Sequence, residues 1–110
     1  MPKTSLDLMQ GTVAVLILKT LSWGALHGYD ISRSIRRRSD GVLGLEDAAL
    51  YQALHRLERK GWIEAEWGLS ENNRKAKFYR LTEEGRRQLQ VEVTTWQRYA
   101  TAVAKILETA

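Results

Sequence analysis

With 110 residues, 44% of them hydrophobic, the chain can build one compact domain around a thin core, one that a partner subunit would help to bury. It has no cysteine, which excludes disulfides and thiolate metal sites and fits a reducing, cytoplasmic setting; no apolar run reaches the ~18 residues of a membrane span, and "MPKTSLDLMQ" lacks the pattern of a signal peptide. The formal charge of +4 is held within residues 1–81, while residues 82–110 are neutral, so an anionic partner would meet the first part of the chain.

"DLMQGTVAVLILKTLSWG" predicts helix 1, with Asp7 and Gln10 as a capping box and Gly24 past its end. Val13, Val15, Leu16, Ile17, Leu18 and Leu21 leave little polar surface. A helix apolar nearly all round needs cover on more than one side. "HGYDISRSIRRRSDG" predicts helix 2, with Ile31 and Ile35 facing the core. His27 falls in the turn before it. The backbone N–H groups near Gly28 and Tyr29, at its start, are a candidate phosphate site. Arg33, Arg36, Arg37 and Arg38 read either as a solvated face or as one near phosphates.

"LEDAALYQALHRLERKG" predicts helix 3, N-capped by Asp47 and stopped by Gly61. Leu50, Ala53, Leu54 and Leu57 form its buried stripe, and Gln52, His55, Arg56 and Arg59 lie opposite. In "WIEAEWG", Ile63, Ala65 and Trp67 alternate with Glu64 and Glu66, the pattern of a half-buried strand. Ser70 to Asn73 make a turn, and "KAKFYRL" is the second strand of a hairpin. Trp62 and Trp67 read as structural, and Trp23 as core at the end of helix 1.

Thr82 caps the last helix, with Glu83 and Glu84 in its first turn and Gly85 as a weak point. Leu89, Val93, Trp96, Ala100, Val103 and Leu107 recur at spacings of 4, 3, 4, 3 and 4, a heptad seam. A helix over 82–110 would run roughly 43 Å at 1.5 Å per residue. It would outreach the rest of the chain and pair with another helix.

Three helices followed by a hairpin is the order of a winged helix-turn-helix, mostly α with a small β-hairpin, here extended by a dimerisation helix. The division expected is a DNA-binding domain over 1–81 and a dimerisation helix over 82–110. Helix 3 would then enter a major groove. Arg74, Lys75 and Lys77 would sit on the wing, with Tyr79, Leu81 and Ile63 tying it to the core. Gln52 is a candidate partner for an adenine edge, and Arg56 for guanine or phosphate. His55 reads as a polar residue facing the groove. Two histidines far apart, with no cysteine, make no metal set, and no cofactor is expected.

"TLSWGALHGYDI", "LEDAALYQALHRLERKGWIEAEW" and "RKAKFYRLTEEGRRQL" resemble the PadR-like transcriptional regulators. The pattern of His-Gly-Tyr, a Leu-Tyr-x-x-Leu-x-x-Leu helix and a wing ending in Tyr-x-Leu-Thr covers residues 16–89. The single last helix is similar to that of the short-tailed subgroup. Gln52 departs from the proline many relatives carry there.

The resemblance implies a homodimer built from helices 1 and 4 of both subunits, with Leu16 and the seam residues at the interface. It also implies that Tyr51 faces DNA, and that Trp96 is a platform for flat aromatic compounds, although an ordinary large core residue is the simpler reading. The function expected is a dimeric regulator of a palindromic operator, a repressor released by a small planar ligand. The alternative is a winged-helix protein-interaction module that never touches DNA. No nucleophile–base pair, metal set or phosphate loop supports an enzyme.

Overall fold

The computed structural model describes residues 11–110 together with the backbone of Leu6–Asp7. The elements are β1 (Leu6–Asp7), α1 (Val13–Leu21), β2 (Leu26–His27), α2 (Gly28–Arg38), β3 (Leu43–Gly44), α3 (Asp47–Arg59), β4 (Ile63–Leu69), β5 (Lys75–Leu81) and α4 (Glu83–Leu107). This is the expected winged helix-turn-helix with a long last helix. The sheet has one strand more than the hairpin predicts. Leu26 and His27 pair antiparallel with Tyr79 and Phe78, giving the order β2-β5-β4, and β1 pairs parallel with β3. Strands of two residues are too short to show a period.

The core gathers one stripe from each element: Ile17, Leu18 and Leu21 of α1, Ile31 of α2, Leu50 and Leu54 of α3, and Ile63 of β4 are all but completely buried. Each such side chain contributes about 1.5–3 kcal/mol by leaving water. Much of the cover that α1 needs therefore comes from its own chain. Val13, Ala14 and Leu16 remain only partly buried.

Helix α1 starts later than the Asp7–Gln10 capping box predicts. Gly11, at φ +92°, breaks any helix entering from residue 8, and Thr12 takes the N-cap position without a side-chain bond. Asp7 belongs to β1, and the side chains of both box residues lie outside the described residues. Helix α3 is entered through Glu46, not Asp47. Glu46 keeps an extended backbone at φ −73° and ψ 151°, and Asp47 is the first helical residue, where its carboxylate complements the helix dipole. The stop at Gly61 is as expected. With φ +76° it lets its own N–H reach the Glu58 carbonyl and that of Trp62 reach Leu57, satisfying two end carbonyls.

The wing is pinned at its base by Ile63 opposite Leu81 and Ala65 opposite Tyr79. At its tip Asn73, at φ +60°, closes the turn, with its N–H donating to the Ser70 carbonyl at 2.9 Å. The alternation of β4 fails at Trp67, which is 61% exposed. Trp23 is also outside the core, at 54% exposed. Both indoles lie under cations: Lys75 Nζ is 5.5 Å from Trp67, and the Arg38 guanidinium 4.0 Å from Trp23. A cation on the ring face lets an aromatic stay at the surface.

Helix α4 is capped as predicted, Thr82 Oγ1 accepting from the Gly85 N–H at 3.0 Å. Gly85 is not a weak point. A Cβ there would lie 1.9 Å from the Trp62 carbonyl oxygen, so only glycine permits the helix to start against β4. The helix spans 25 residues, ending at Leu107, and runs roughly 38 Å at 1.5 Å per residue. It stretches the molecule to 56 × 39 × 21 Å, with a radius of gyration of 15.2 Å. A compact chain of this length has about 13 Å.

Candidate nucleic-acid interface

The apolar stripe of α3 is turned inward, so Tyr51, Gln52, His55, Arg56 and Arg59 face outward by helical geometry, and all five are exposed. Ala48 and Ala49, in the first turn of the same helix, are also exposed. They belong to neither the buried stripe nor the polar face that the sequence pattern marks. Small side chains there let a helix sink close to a groove floor, and a methyl can meet a thymine methyl. Only their position one turn before Gln52 could have marked them.

An open cleft of about 700 Å³ runs between the start of α2, the flank of α3 and the wing. It brings together Tyr29, Tyr51, His55, Arg74, Lys75 and Lys77. Gln52 and Arg56 do not line it; they stand on the open surface of α3. Tyr29 is 62% and Tyr51 45% exposed, so both rings are reachable from solvent.

The geometry explains why His-Gly-Tyr precedes Leu-Tyr. A Cβ at Gly28 would lie 2.7 Å from the Tyr51 hydroxyl oxygen and 3.0 Å from two ring carbons, so the ring rests on bare backbone. His27 is the N-cap of α2: Nδ1 accepts from the Asp30 N–H at 3.4 Å, Nε2 lies 3.2 Å from Asp30 Oδ2, and the ring meets Phe78 edge-on. Its cap role and its pairing with Asp30 leave it little freedom to bind a ligand.

The wing cations are not equivalent. Lys77 Nζ lies 3.8 Å from Glu58 on α3, and Arg80 donates to Glu64 at 2.8 Å and to Glu66 at 3.3 Å. These pairs use up the acidic groups of the sheet face; being exposed, they add little to stability. Arg74 and Lys75, at the tip, have no carboxylate within 4 Å among the described residues. Tyr79, under the wing, has its phenol pKa raised above the usual value by burial, then by Glu58 and Tyr51, and stays neutral in ordinary buffers.

The other predicted residues lie away from the cleft. Leu89 is 8% exposed within the chain's own core, and Val93 and Leu16 are partly buried against it. Trp96 is 41% exposed, and its indole N–H donates to Thr12 Oγ1 at 3.3 Å, joining mid-α4 to the start of α1. Ala100 and Val103 are half-buried, and Leu107 is 78% exposed. Among the described residues no helix is long and apolar enough to cross a membrane, and no His, Asp or Glu cluster is set to hold a metal.

The family model described as "Transcriptional regulator PadR-like family" matches residues 17–91, from α1 into α4. The chain belongs to the PadR-like family. Members of this family are transcriptional regulators, not enzymes. A transcriptional regulator of Clostridium thermocellum superposes on this chain with a TM-score of 0.82 at 30% identity, over 90% of this chain and 96% of that one. A PadR-family transcriptional regulator of Eggerthella lenta gives 0.76 at 31% identity, over 92% and 86%. An uncharacterized protein of Lysinibacillus sphaericus is 33% identical over 90 residues, 82% of this chain and 83% of its own. The PadR-like match spans the cleft, α3 and the wing together.

Proposed function

We propose that this PadR-like chain regulates transcription by binding a palindromic DNA operator as a homodimer. The observation that carries the reading is the single cleft lined by both the flank of α3 and the wing. Helix α3 exposes Ala48, Ala49, Gln52 and Arg56, and beside it the wing raises Arg74 and Lys75, which have no acidic partner among the described residues. In the proposal the first element reads base edges in a major groove and the second grips phosphates. Tyr29, Tyr51 and His55 line the cleft between them, facing the sugar–phosphate backbone. Lys77 has a smaller part, because Glu58 already engages it.

The part up to Leu81 would then be the DNA-binding domain, and α4 the dimerisation helix. What supports pairing is the outer half of the seam, Trp96, Ala100, Val103 and Leu107, which runs beyond the reach of the chain's own core, together with the part-covered Leu16 of α1. Repression, and its release by a flat aromatic compound near Trp96, complete the proposal. The partly exposed indole supports the platform. Its bond to Thr12 means that a guest prising it away would also disturb the start of α1.

The deciding experiment is a mobility shift on duplexes that the protein itself selects from a random-sequence pool, repeated across salt concentrations. Binding through basic groups must weaken steeply as salt rises, because each neutralised phosphate releases counterions. No selected duplex, or a flat salt response, would favour the protein-interaction module instead.

A further inference from the structure

A second groove, of about 380 Å³, lies between the end of α1 and the outer flank of α2. Its walls carry Trp23, Arg33, Arg37 and Arg38, with Asp30 and Glu71 as the acidic members. Asp30, Arg33 and Glu71 also line the cleft beside α3 and the wing, so the two depressions are continuous. Arg33 lies 3.5 Å from Asp30. Arg37 and Arg38 have no carboxylate within 4 Å among the described residues, and both are exposed.

Trp23 gives the groove its order. The Arg38 guanidinium stacks on the indole at 4.0 Å from the ring centre, and Lys19 Nζ stands 5.4 Å from the same ring. Stacking occupies the flat face of a guanidinium and leaves its in-plane N–H donors pointing outward. A stacked arginine is thus held ready to take a phosphate oxygen, with little left to lose in side-chain freedom. This also accounts for a large indole outside the core, more than half exposed, at the end of an otherwise buried helix.

We propose that the Trp23–Arg37–Arg38 groove is an auxiliary DNA-backbone site, taking the phosphates that flank the operator half-site on the α2 side. The inference rests on the DNA-binding reading above and extends it. Three features favour this occupant: the excess of arginine, the arrangement of fork donors suited to phosphate, and continuity with the proposed operator cleft. The contact carries no sequence information. It lengthens the footprint and raises affinity on any flanking sequence.

The test uses the full chain and one duplex selected by the protein from a random pool. The duplex is made in two lengths, trimmed to the palindromic sequence alone and extended by about ten base pairs, one helical turn, on each side. The wild-type protein binds the extended duplex at least about threefold more tightly, with a steeper salt slope, by up to about 0.9 per added phosphate contact. The Arg37→Ala/Arg38→Ala variant binds the trimmed duplex like wild type and gains nothing from the extension. Trp23→Ala, which removes the platform but no charge, gains less than wild type. Arg38→Lys, which keeps the charge but loses the fork, does the same. Circular dichroism confirms that each variant is folded.

A wild-type protein indifferent to the extension overturns the proposal, as does a double variant that gains as much as wild type. If the double variant loses the trimmed duplex, the arginines belong to the operator contact itself and the flanking assignment is wrong. Failure of wild type to bind even the trimmed duplex in a salt-dependent way would instead defeat the DNA-binding reading.

Discussion

The Tyr51 ring lies against Gly28 so closely that a methyl group on Gly28 would stand 2.7 Å from the Tyr51 hydroxyl oxygen. The Tyr51 ring therefore holds this position only because residue 28 carries no side chain. The clash involves the free end of a side chain, so an alanine at 28 would swing the phenol out of the cleft and spare the core. Gly28→Ala is expected to leave the melting temperature nearly unchanged and to weaken DNA binding measured by anisotropy. In a Tyr51→Ala background the same change should add almost nothing, since the two residues act as one unit. Fully additive losses would show that Gly28 matters for another reason.

Gly85→Ala should behave in the opposite way. An alanine inside a helix ordinarily adds about 1 kcal/mol of stability relative to glycine. Here its Cβ would fall 1.9 Å from the Trp62 carbonyl, and backbone cannot swing aside. Overpacking of this kind costs typically 1–3 kcal/mol, occasionally more. Urea denaturation should give a clear loss; a variant as stable as wild type would mean that α4 can tilt away from β4.

Helix and wing variants should separate in kind. Replacing Gln52 or Arg56 with alanine is expected to change the ranking of operator variants, by about 1–3 kcal/mol for a good bidentate contact. Replacing Arg74 or Lys75 should weaken every duplex alike and flatten the salt slope by about one unit each. Lys77→Ala should do less than either, because its ammonium already faces Glu58 at 3.8 Å. A Lys77 effect as large as that of Arg74 would show that DNA displaces the Glu58 pair.

Val103→Asp tests the α4 seam. An unpaired carboxylate buried between helices costs several kcal/mol. Sedimentation at micromolar concentration should change from dimer to monomer, with the helix content of the wing domain preserved. An unchanged sedimentation coefficient would move the interface elsewhere.

Tyr79 gives a pH signature. Its folded pKa is raised above the usual phenol value of 10.0. The folded state therefore holds this proton more tightly than the unfolded one. The resulting stability is fully present below the unfolded pKa, and is lost as pH rises through the folded pKa. Wild type should lose stability faster than Tyr79→Phe above about pH 10, and the two should run parallel in neutral buffers. Parallel curves at high pH would show that the phenol is not desolvated.

Much of this was legible in the sequence because periodicity records burial directly. The stripe of α3 and the paired Ile31 and Ile35 of α2 follow from spacing alone, the Thr82 cap from residue type before two glutamates, and the Ile63–Tyr79–Leu81 base of the wing from the order of helices and hairpin. What escaped depends on partners distant in sequence. Nothing near Lys77 announces Glu58, and nothing near Gly85 announces the Trp62 carbonyl. Trp23 reads as core and Trp67 as the half-buried side of a strand because a hydrophobic pattern does not distinguish an indole under leucines from one under a cation. Gly11 lay in plain view, yet its role as a break in α1 depends on a φ angle that its identity permits but does not require.

Thr82 binds in two directions at once. Its hydroxyl donates to the Gly61 carbonyl at 2.7 Å while capping α4, and its N–H donates to the Trp62 carbonyl at 3.1 Å. Since Gly61 and Trp62 also close the end of α3, the last turn of that helix and the first turn of α4 meet at a single welded joint. The long helix is therefore a lever whose short arm is α3. A tilt of α4 near Trp96 would pull on the end of α3 through these bonds and, under the proposed function, would turn the face that α3 offers to DNA.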